Sequence, residues 1–172
     1  MFALLRRPRL PFFALALVVA GLLGFGLYLQ HVEGLSPCPM CILQRYAFAL
    51  VGVVALLAGF HGSTGGGRRV WGALIGLLAL VGLGIAARQS WIQIYPPDVI
   101  GCGPGFEYML DSMPLTELLP SIFQGEGDCT AIEWSFLGLS IANWSLVSFS
   151  ATLVFALFLL FERRRPRGYG AL

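Results

Sequence analysis

The sequence predicts an all-α integral membrane protein, a bundle of four transmembrane helices. Hydrophobic residues make up 57% of the 172 residues and charged residues only 12%, with a mean hydropathy of +0.78. In soluble domains about a quarter of the residues are charged. Four apolar stretches are long enough to cross a hydrocarbon core of about 30 Å, and most arginines lie on one side of these stretches. These three observations define the fold class.

The apolar stretches divide a single membrane domain into spans and connections. The predicted spans are residues 10–30, 42–60, 70–87 and 144–161. Each falls within the roughly 17 to 25 residues that a helix needs to cross the core. The connections are residues 31–41, 61–69 and 88–143, and a tail follows at 162–172. The first span exceeds the usual apolar part of a signal peptide, so we expect it to remain in the protein.

The distribution of charge orients the bundle. All eleven basic residues are arginine, and nine of them precede the first span, separate the second from the third, or follow the fourth. Eight of the nine acidic residues lie in the other two connections. The positive-inside rule therefore places both termini and residues 61–69 in the cytoplasm, and residues 31–41 and 88–143 outside. With a net charge of only +2, the expected surroundings are the lipid bilayer, and no nucleic acid is expected.

The 88–143 connection is long enough to carry a function of its own. Apolar residues within it recur with the period of a helix that has one apolar face. These residues are Leu115, Leu118, Leu119, Ile122 and Phe123. We expect a short helix lying on the outer leaflet or, because Pro120 interrupts the pattern, an irregular apolar patch packed on the bundle.

The strongest functional signal is that all four cysteines fall in the outer connections. Cys38 and Cys41 lie in the short connection, and Cys102 and Cys129 lie in the long one. Thiols outside the cytoplasm tend to be oxidised. An even number of cysteines therefore suggests two disulfides, for which three pairings are possible.

Three kinds of site fit these cysteines. Structural disulfides are one, although a membrane bundle of this size should not need them. A zinc site is another, but Cys102 and Cys129 lack the short spacing usual for zinc ligands, so no metal is expected. We favour redox chemistry, because Cys38-Pro39-Met40-Cys41 is a Cys-x-x-Cys motif at the predicted start of a helix. The free N–H groups and partial positive charge of a helix N-terminus stabilise a thiolate.

Several segments together carry a family resemblance. They are Gln30-His31-Val32, Pro37-Cys38-Pro39-Met40-Cys41-Ile42-Leu43-Gln44-Arg45, Gln93-Ile94-Tyr95-Pro96, Gly127-Asp128-Cys129 and Trp134-Ser135-Phe136-Leu137-Gly138-Leu139-Ser140. Over nearly its whole length the chain resembles the disulfide bond formation protein B (DsbB) family of bacterial inner-membrane thiol oxidases. It departs from this family at Gln89, near which family members often carry a histidine.

The resemblance implies a relay of electrons across two cysteine pairs. A soluble periplasmic dithiol oxidase of the DsbA type is reoxidised by the Cys102–Cys129 disulfide, through a mixed disulfide with Cys102. The freed cysteine then reduces Cys38–Cys41, and Cys41 passes the electron pair to a membrane quinone, either ubiquinone or menaquinone. The glycines beside Cys102 leave it accessible. The acidic residues before Cys129 make it a poorer leaving group, so the choice of Cys102 rests partly on the resemblance.

Two further residues are candidates for the quinone site. On a helix, Arg45 shares a face with Cys41 one turn away. It either reaches the lipid headgroups or is a fixed cation that favours a thiolate at Cys41 and negative charge on a quinone oxygen. The resemblance matches Arg45 to a quinone-site arginine. His31, at the outer end of the first span, either contacts the same acceptor or is an interfacial histidine.

Two other functions remain open at this point. A reductase of the vitamin K epoxide reductase type also combines four helices with a Cys-x-x-Cys motif. In that type the motif comes late in the chain, whereas here it precedes the second helix. The alternative outside the enzymes is a membrane scaffold with structural disulfides. A mixed disulfide trapped with a periplasmic thiol protein would distinguish the oxidase from the scaffold.

Overall fold

Four long helices and one short hairpin make up the described part of the chain, which in this computed structural model comprises residues 9–62, 65–95 and 131–161. The helices are α1 (Leu10–His31), α2 (Pro39–His61), α3 (Gly66–Ile94) and α4 (Ile141–Phe161). The strands are β1 (Ser135–Phe136) and β2 (Leu139–Ser140). Each helix includes an apolar stretch long enough to cross a membrane. The predicted fold class, an all-α four-helix membrane protein, is confirmed.

The outer faces of the helices are apolar and exposed. Leu17 is 75% exposed, Phe60 71% and Val154 65%. Such a surface suits a bilayer, in which lipid tails contact the apolar side chains and each helix satisfies its own backbone groups. The chain is therefore a multi-pass membrane protein.

Glycines in α3 allow a close approach of α4. A Cβ atom added at Gly82 would overlap the ring of Phe149, and one added at Gly72 would lie 3.1 Å from Cβ of Leu159. Phe149 is fully buried and stacks on Phe48 of α2, with ring centroids 3.9 Å apart. Around these contacts α3 packs most extensively on α4, while α2 packs on both α1 and α3.

The structure extends α3 beyond the predicted span of residues 70–87. The helix begins at Gly66 and runs to Ile94, where the N–H of Tyr95 bonds to the carbonyl of Trp91 at 2.9 Å. The predicted span ends where polar residues begin, because hydropathy detects only the apolar part of a helix. The helix itself continues beyond that point, since its backbone hydrogen bonds do not require apolar side chains. Gln89 consequently belongs to the helix and not to the 88–143 connection.

The structure also begins α2 three residues before the predicted span of residues 42–60. Cys38 is the N-cap, and its sulfur accepts a hydrogen bond from the backbone N–H of Cys41 at 3.4 Å. Pro39 stands in the first turn, where proline is favoured because its missing N–H would have no helical partner. Hydropathy does not detect a polar cap of this kind. Cys41 therefore lies inside the helix and not in the preceding connection.

A hairpin that is not predicted from the sequence precedes α4. β1 pairs antiparallel with β2, and the turn residues Leu137 and Gly138 have positive φ angles of 54° and 77°, as in a type I′ turn. Ser140 then accepts a hydrogen bond from the N–H of Asn143 at 3.4 Å and caps α4. As a result α4 begins three residues before the predicted span of residues 144–161.

Candidate functional site

The two cysteines of the Cys-x-x-Cys motif meet at the N-terminus of α2. The Cys38 thiol donates to Sγ of Cys41, and the two sulfurs lie 3.0 Å apart. This distance is only about 1 Å longer than the S–S bond of a disulfide. Cys38 is 4% exposed, whereas Cys41 is partly exposed. The pair is placed to form and break a disulfide with little movement of the backbone.

Two glutamine side chains complete the surroundings of the sulfurs. Nε2 of Gln89, on α3, donates to Sγ of Cys38 at 3.3 Å and to Sγ of Cys41 at 3.2 Å. Nε2 of Gln44, on α2, donates to Oε1 of Gln89 at 2.6 Å. Both glutamines are buried, with 3% and 2% of their surface exposed. The amide of Gln89 is therefore oriented by bonds at both of its ends.

Neither glutamine is among the site residues predicted from the sequence. Gln89 stands out there only as a departure from the histidine that family members often carry. Gln44 stands three residues after Cys41, and this spacing could have placed it on the same face of the helix. Gln89 comes to the sulfurs only because α3 packs on α2, and sequence patterns do not reveal such a contact.

α1 holds Arg45 at the side of the site. Nη2 of Arg45 donates to the carbonyl oxygen of Gly26 at 3.0 Å, and Nη1 of Arg45 donates to Oε1 of Gln30. Both acceptors are neutral, so they fix the position of the guanidinium without cancelling its charge. Arg45 and Cys41 line the same cavity.

This cavity lies beside the sulfurs and is walled mainly by apolar side chains. The space not filled by atoms amounts to about 1070 Å³, which includes open solvent at the mouth of the cavity. The apolar lining residues include Leu22, Phe25, Leu29, Phe48, Ile141 and Trp144. Cys41, Arg45 and Gln89 are among its polar groups. Such a cavity suits an apolar ligand that carries a few hydrogen-bonding atoms.

The hairpin contributes another wall of the cavity. Trp134, just before β1, lines it. Nε1 of Trp144 donates to the carbonyl oxygen of Phe136 at 3.1 Å, and Oγ of Ser140 donates to Oε1 of Gln93 at 2.7 Å. These two hydrogen bonds fasten the hairpin to α4 and α3.

The other candidate residues are separate from the cavity or lie outside the described residues. His31, the exposed last residue of α1, does not line the cavity. Cys102, Cys129 and the apolar stretch around residues 115–123 lie outside the described residues. The pairing of these two cysteines and the interfacial helix therefore stay predictions.

A four-helix membrane bundle with a cysteine pair beside an apolar cavity defines a class, the membrane thiol–disulfide oxidoreductases. Comparison with known proteins gives the family. The family model described as disulfide bond formation protein DsbB matches residues 8–159. The chain therefore belongs to the disulfide bond formation protein B family.

Individual members of the family match almost from end to end. The disulfide bond formation protein B of Azoarcus sp. is 62% identical over 164 residues, which cover 95% of this chain and 99% of the relative. The protein of that name from Aromatoleum aromaticum is 56% identical, over 91% and 94% of the two chains. The one from Marinobacter nauticus is 47% identical, over 89% and 92%. The chain is thus a disulfide oxidoreductase. The family match favours this function over the two alternatives, a reductase of the vitamin K epoxide reductase type and a membrane scaffold.

Proposed function

We propose that this protein is a thiol:quinone oxidoreductase of the bacterial inner membrane. It reoxidises a soluble periplasmic dithiol oxidase of the DsbA type and passes the electrons through two cysteine pairs to a membrane quinone. The observation that carries the proposal is the position of the Cys38 and Cys41 sulfurs. They lie 3.0 Å apart in the wall of an apolar cavity that Arg45 also lines.

Thiol–disulfide exchange brings the electrons to the cysteines of α2. A thiolate of the soluble partner attacks Cys102, and the bond to Cys129 breaks with its electron pair on Cys129. Because Cys41 faces the quinone in this scheme, Cys129 attacks Cys38, and Cys41 leaves as a thiolate. The second thiolate of the partner then attacks the partner's own sulfur in the mixed disulfide and releases Cys102. Cys102 attacks Cys129, so that the Cys102–Cys129 disulfide forms again and the Cys129–Cys38 bond breaks with its electron pair on Cys38. Cys38 and Cys41 are left reduced, and the partner leaves oxidised.

The cavity fits a quinone, which combines a flat apolar ring with two carbonyl oxygens. Phe48 and Trp144 offer apolar surface for the ring. When bound, the quinone accepts the electron pair and two protons. Arg45 would donate a hydrogen bond to a quinone oxygen and would stabilise negative charge there. Gln30 and the carbonyl of Gly26 hold the guanidinium in position before the reaction starts.

The arginine distribution supports a topology with both termini in the cytoplasm and both cysteine connections in the periplasm. A membrane-impermeant thiol reagent applied to intact spheroplasts after reduction is expected to label all four cysteines. Protection of either pair until the membrane is broken would contradict this topology and the relay.

The proposal is tested with purified protein in detergent, a reduced DsbA-type oxidase and a short-chain ubiquinone. We expect one quinol for each partner oxidised. Cys102→Ser and Cys129→Ser should stop oxidation of the partner but leave exchange between Cys38–Cys41 and the quinone. Cys41→Ser should stop quinone reduction.

The matched control is Ser150→Ala, because the hydroxyl of Ser150 bonds to the carbonyl of Leu146 within α4 at 2.8 Å. This variant should retain normal activity. Oxidation of the partner at the normal rate by the Cys102→Ser protein would contradict the relay.

A further inference from the structure

Gln89 is a buried polar side chain that the relay described above does not use. Burying an amide is unfavourable unless its donors and acceptor are bonded. Here the amide nitrogen donates to both sulfurs, and the amide oxygen accepts from Gln44. An apolar residue would fill this interior position without any such requirement, so the amide points to a role at the sulfurs.

We infer that Gln89 is a catalytic residue of the Cys38–Cys41 pair: its amide N–H groups stabilise the sulfur that receives the electron pair when the disulfide opens. Gln44 is a positioning residue that keeps the amide turned toward the sulfurs. The inference rests on the proposed function in one respect, namely that this pair cycles between dithiol and disulfide.

The chemical reason is a difference between the oxidised and reduced states. In the opening step an incoming thiolate forms a new S–S bond with Cys38, the Cys38–Cys41 bond breaks, and its electron pair stays on Cys41. A disulfide sulfur is a weak hydrogen-bond acceptor, whereas a thiolate accepts a charge-assisted bond. The bonds from Gln89 therefore strengthen as the reaction proceeds. Such a difference lowers the barrier and favours the reduced state.

The geometry allows the same amide to serve both sulfurs. The two N···S distances, 3.3 Å to Cys38 and 3.2 Å to Cys41, are nearly equal. The amide has two N–H groups, so it can donate to each sulfur in turn or to both together. It is also neutral and keeps its protons, so it adds no charge to the membrane-embedded site.

Gln44 determines which end of the Gln89 amide faces the cysteines. If the amide turned over, its carbonyl oxygen would face the sulfurs and would repel a thiolate. The 2.6 Å bond from Nε2 of Gln44 to Oε1 of Gln89 opposes this rotation. In the turned amide the NH₂ group of Gln89 would face the NH₂ group of Gln44, and two donors cannot form a hydrogen bond. Removing Gln44 should therefore weaken the effect of Gln89 without abolishing it.

The test measures the redox equilibrium of the Cys38–Cys41 pair with glutathione. The protein carries Cys102→Ser and Cys129→Ser and is freed of quinone, so this pair alone reacts, and the reduced fraction is read by thiol alkylation. Gln89→Met keeps the volume and removes both donors. We expect it to favour the disulfide about tenfold, which corresponds to about 30 mV for a two-electron couple. Gln44→Met should produce a smaller shift, about threefold, in the same direction.

The matched control is Ser90→Ala, at the next position of α3. Oγ of Ser90 is buried and has no hydrogen-bond partner among the described residues, so its removal should leave the equilibrium unchanged. Opening of the disulfide by dithiothreitol should be slowed by Gln89→Met and not by Ser90→Ala. Circular dichroism establishes that each variant is folded, and Gln44→Met alone decides the question if Gln89→Met does not fold.

The outcomes separate this inference from the proposed function. An unchanged equilibrium in both glutamine variants, or an equal shift in Ser90→Ala, would overturn the role of Gln89 and leave quinone reduction by the wild-type protein unaffected. Failure of the wild-type protein to reduce a quinone would contradict the proposed function, whereas the measured shift with glutathione would stand.

Discussion

The contact between α3 and α4 and the cysteine site are built in different ways. Along the helix contact, a Cβ added at Gly72 or Gly76 would lie only 3.1 Å or 3.3 Å from side-chain atoms of α4. At the site, by contrast, Gln44, Gln89 and Arg45 are held by hydrogen bonds around a cavity. The first region depends on close packing and the second on oriented polar groups. Stability and redox chemistry should therefore fail separately.

The largest expected effect on stability comes from adding volume to the helix contact. Gly82→Ala would place a Cβ into the ring of Phe149, and overpacking of this kind costs about 1–3 kcal/mol. The unfolding midpoint in detergent should fall, while the folded protein keeps its cysteine chemistry. Gly84→Ala is the matched control, because a Cβ there meets nothing within 4 Å. Equal destabilisation by both variants would contradict the assigned contact.

At the site, the corresponding variant is Arg45→Met. We expect an apparent affinity for ubiquinone about tenfold weaker, because a charge-assisted donor is lost from the cavity. Exchange of Cys38–Cys41 with dithiothreitol should stay within a small factor of normal. Arg45→Lys should recover only part of the affinity, since lysine lacks the planar fork that Gln30 and Gly26 hold.

Quinone-reduction kinetics of the purified variants decide this prediction. Unchanged affinity and turnover in Arg45→Met would show that the residue is only a membrane anchor.

A smaller effect is expected where the two regions meet, at the hairpin. Ser140→Ala removes both the cap of α4 and the bond to Gln93, and loss of a cap typically costs about 1 kcal/mol. A lower unfolding midpoint, with a modest loss of quinone affinity, would link the hairpin to the cavity. Normal values for both would show that these two hydrogen bonds contribute little.

The sequence predicts the spans well because hydropathy is a local property. Four apolar stretches and one Cys-x-x-Cys motif are visible without any knowledge of packing. The end of α3 is not visible in the sequence. Hydropathy reports where the apolar stretch stops, whereas the helix continues through Gln89 to Ile94.

The site is only partly predictable for a related reason. The spacing of four residues indicates that Cys41 and Arg45 share a face of α2, and both line the cavity. The bonds from Gln89 to the sulfurs and from Arg45 to Gln30 join different helices. Such contacts depend on how α1, α2 and α3 pack, so local sequence patterns do not contain them.

The proposed function requires that the Cys38–Cys41 pair deliver electrons directly to a quinone. The most direct measurement is a single turnover of protein carrying Cys102→Ser and Cys129→Ser, reduced with dithiothreitol, freed of reductant and mixed anaerobically with ubiquinone. We expect one ubiquinol for each protein and recovery of the Cys38–Cys41 disulfide. Absence of ubiquinol, or the same yield from a protein that also carries Cys41→Ser, would contradict it.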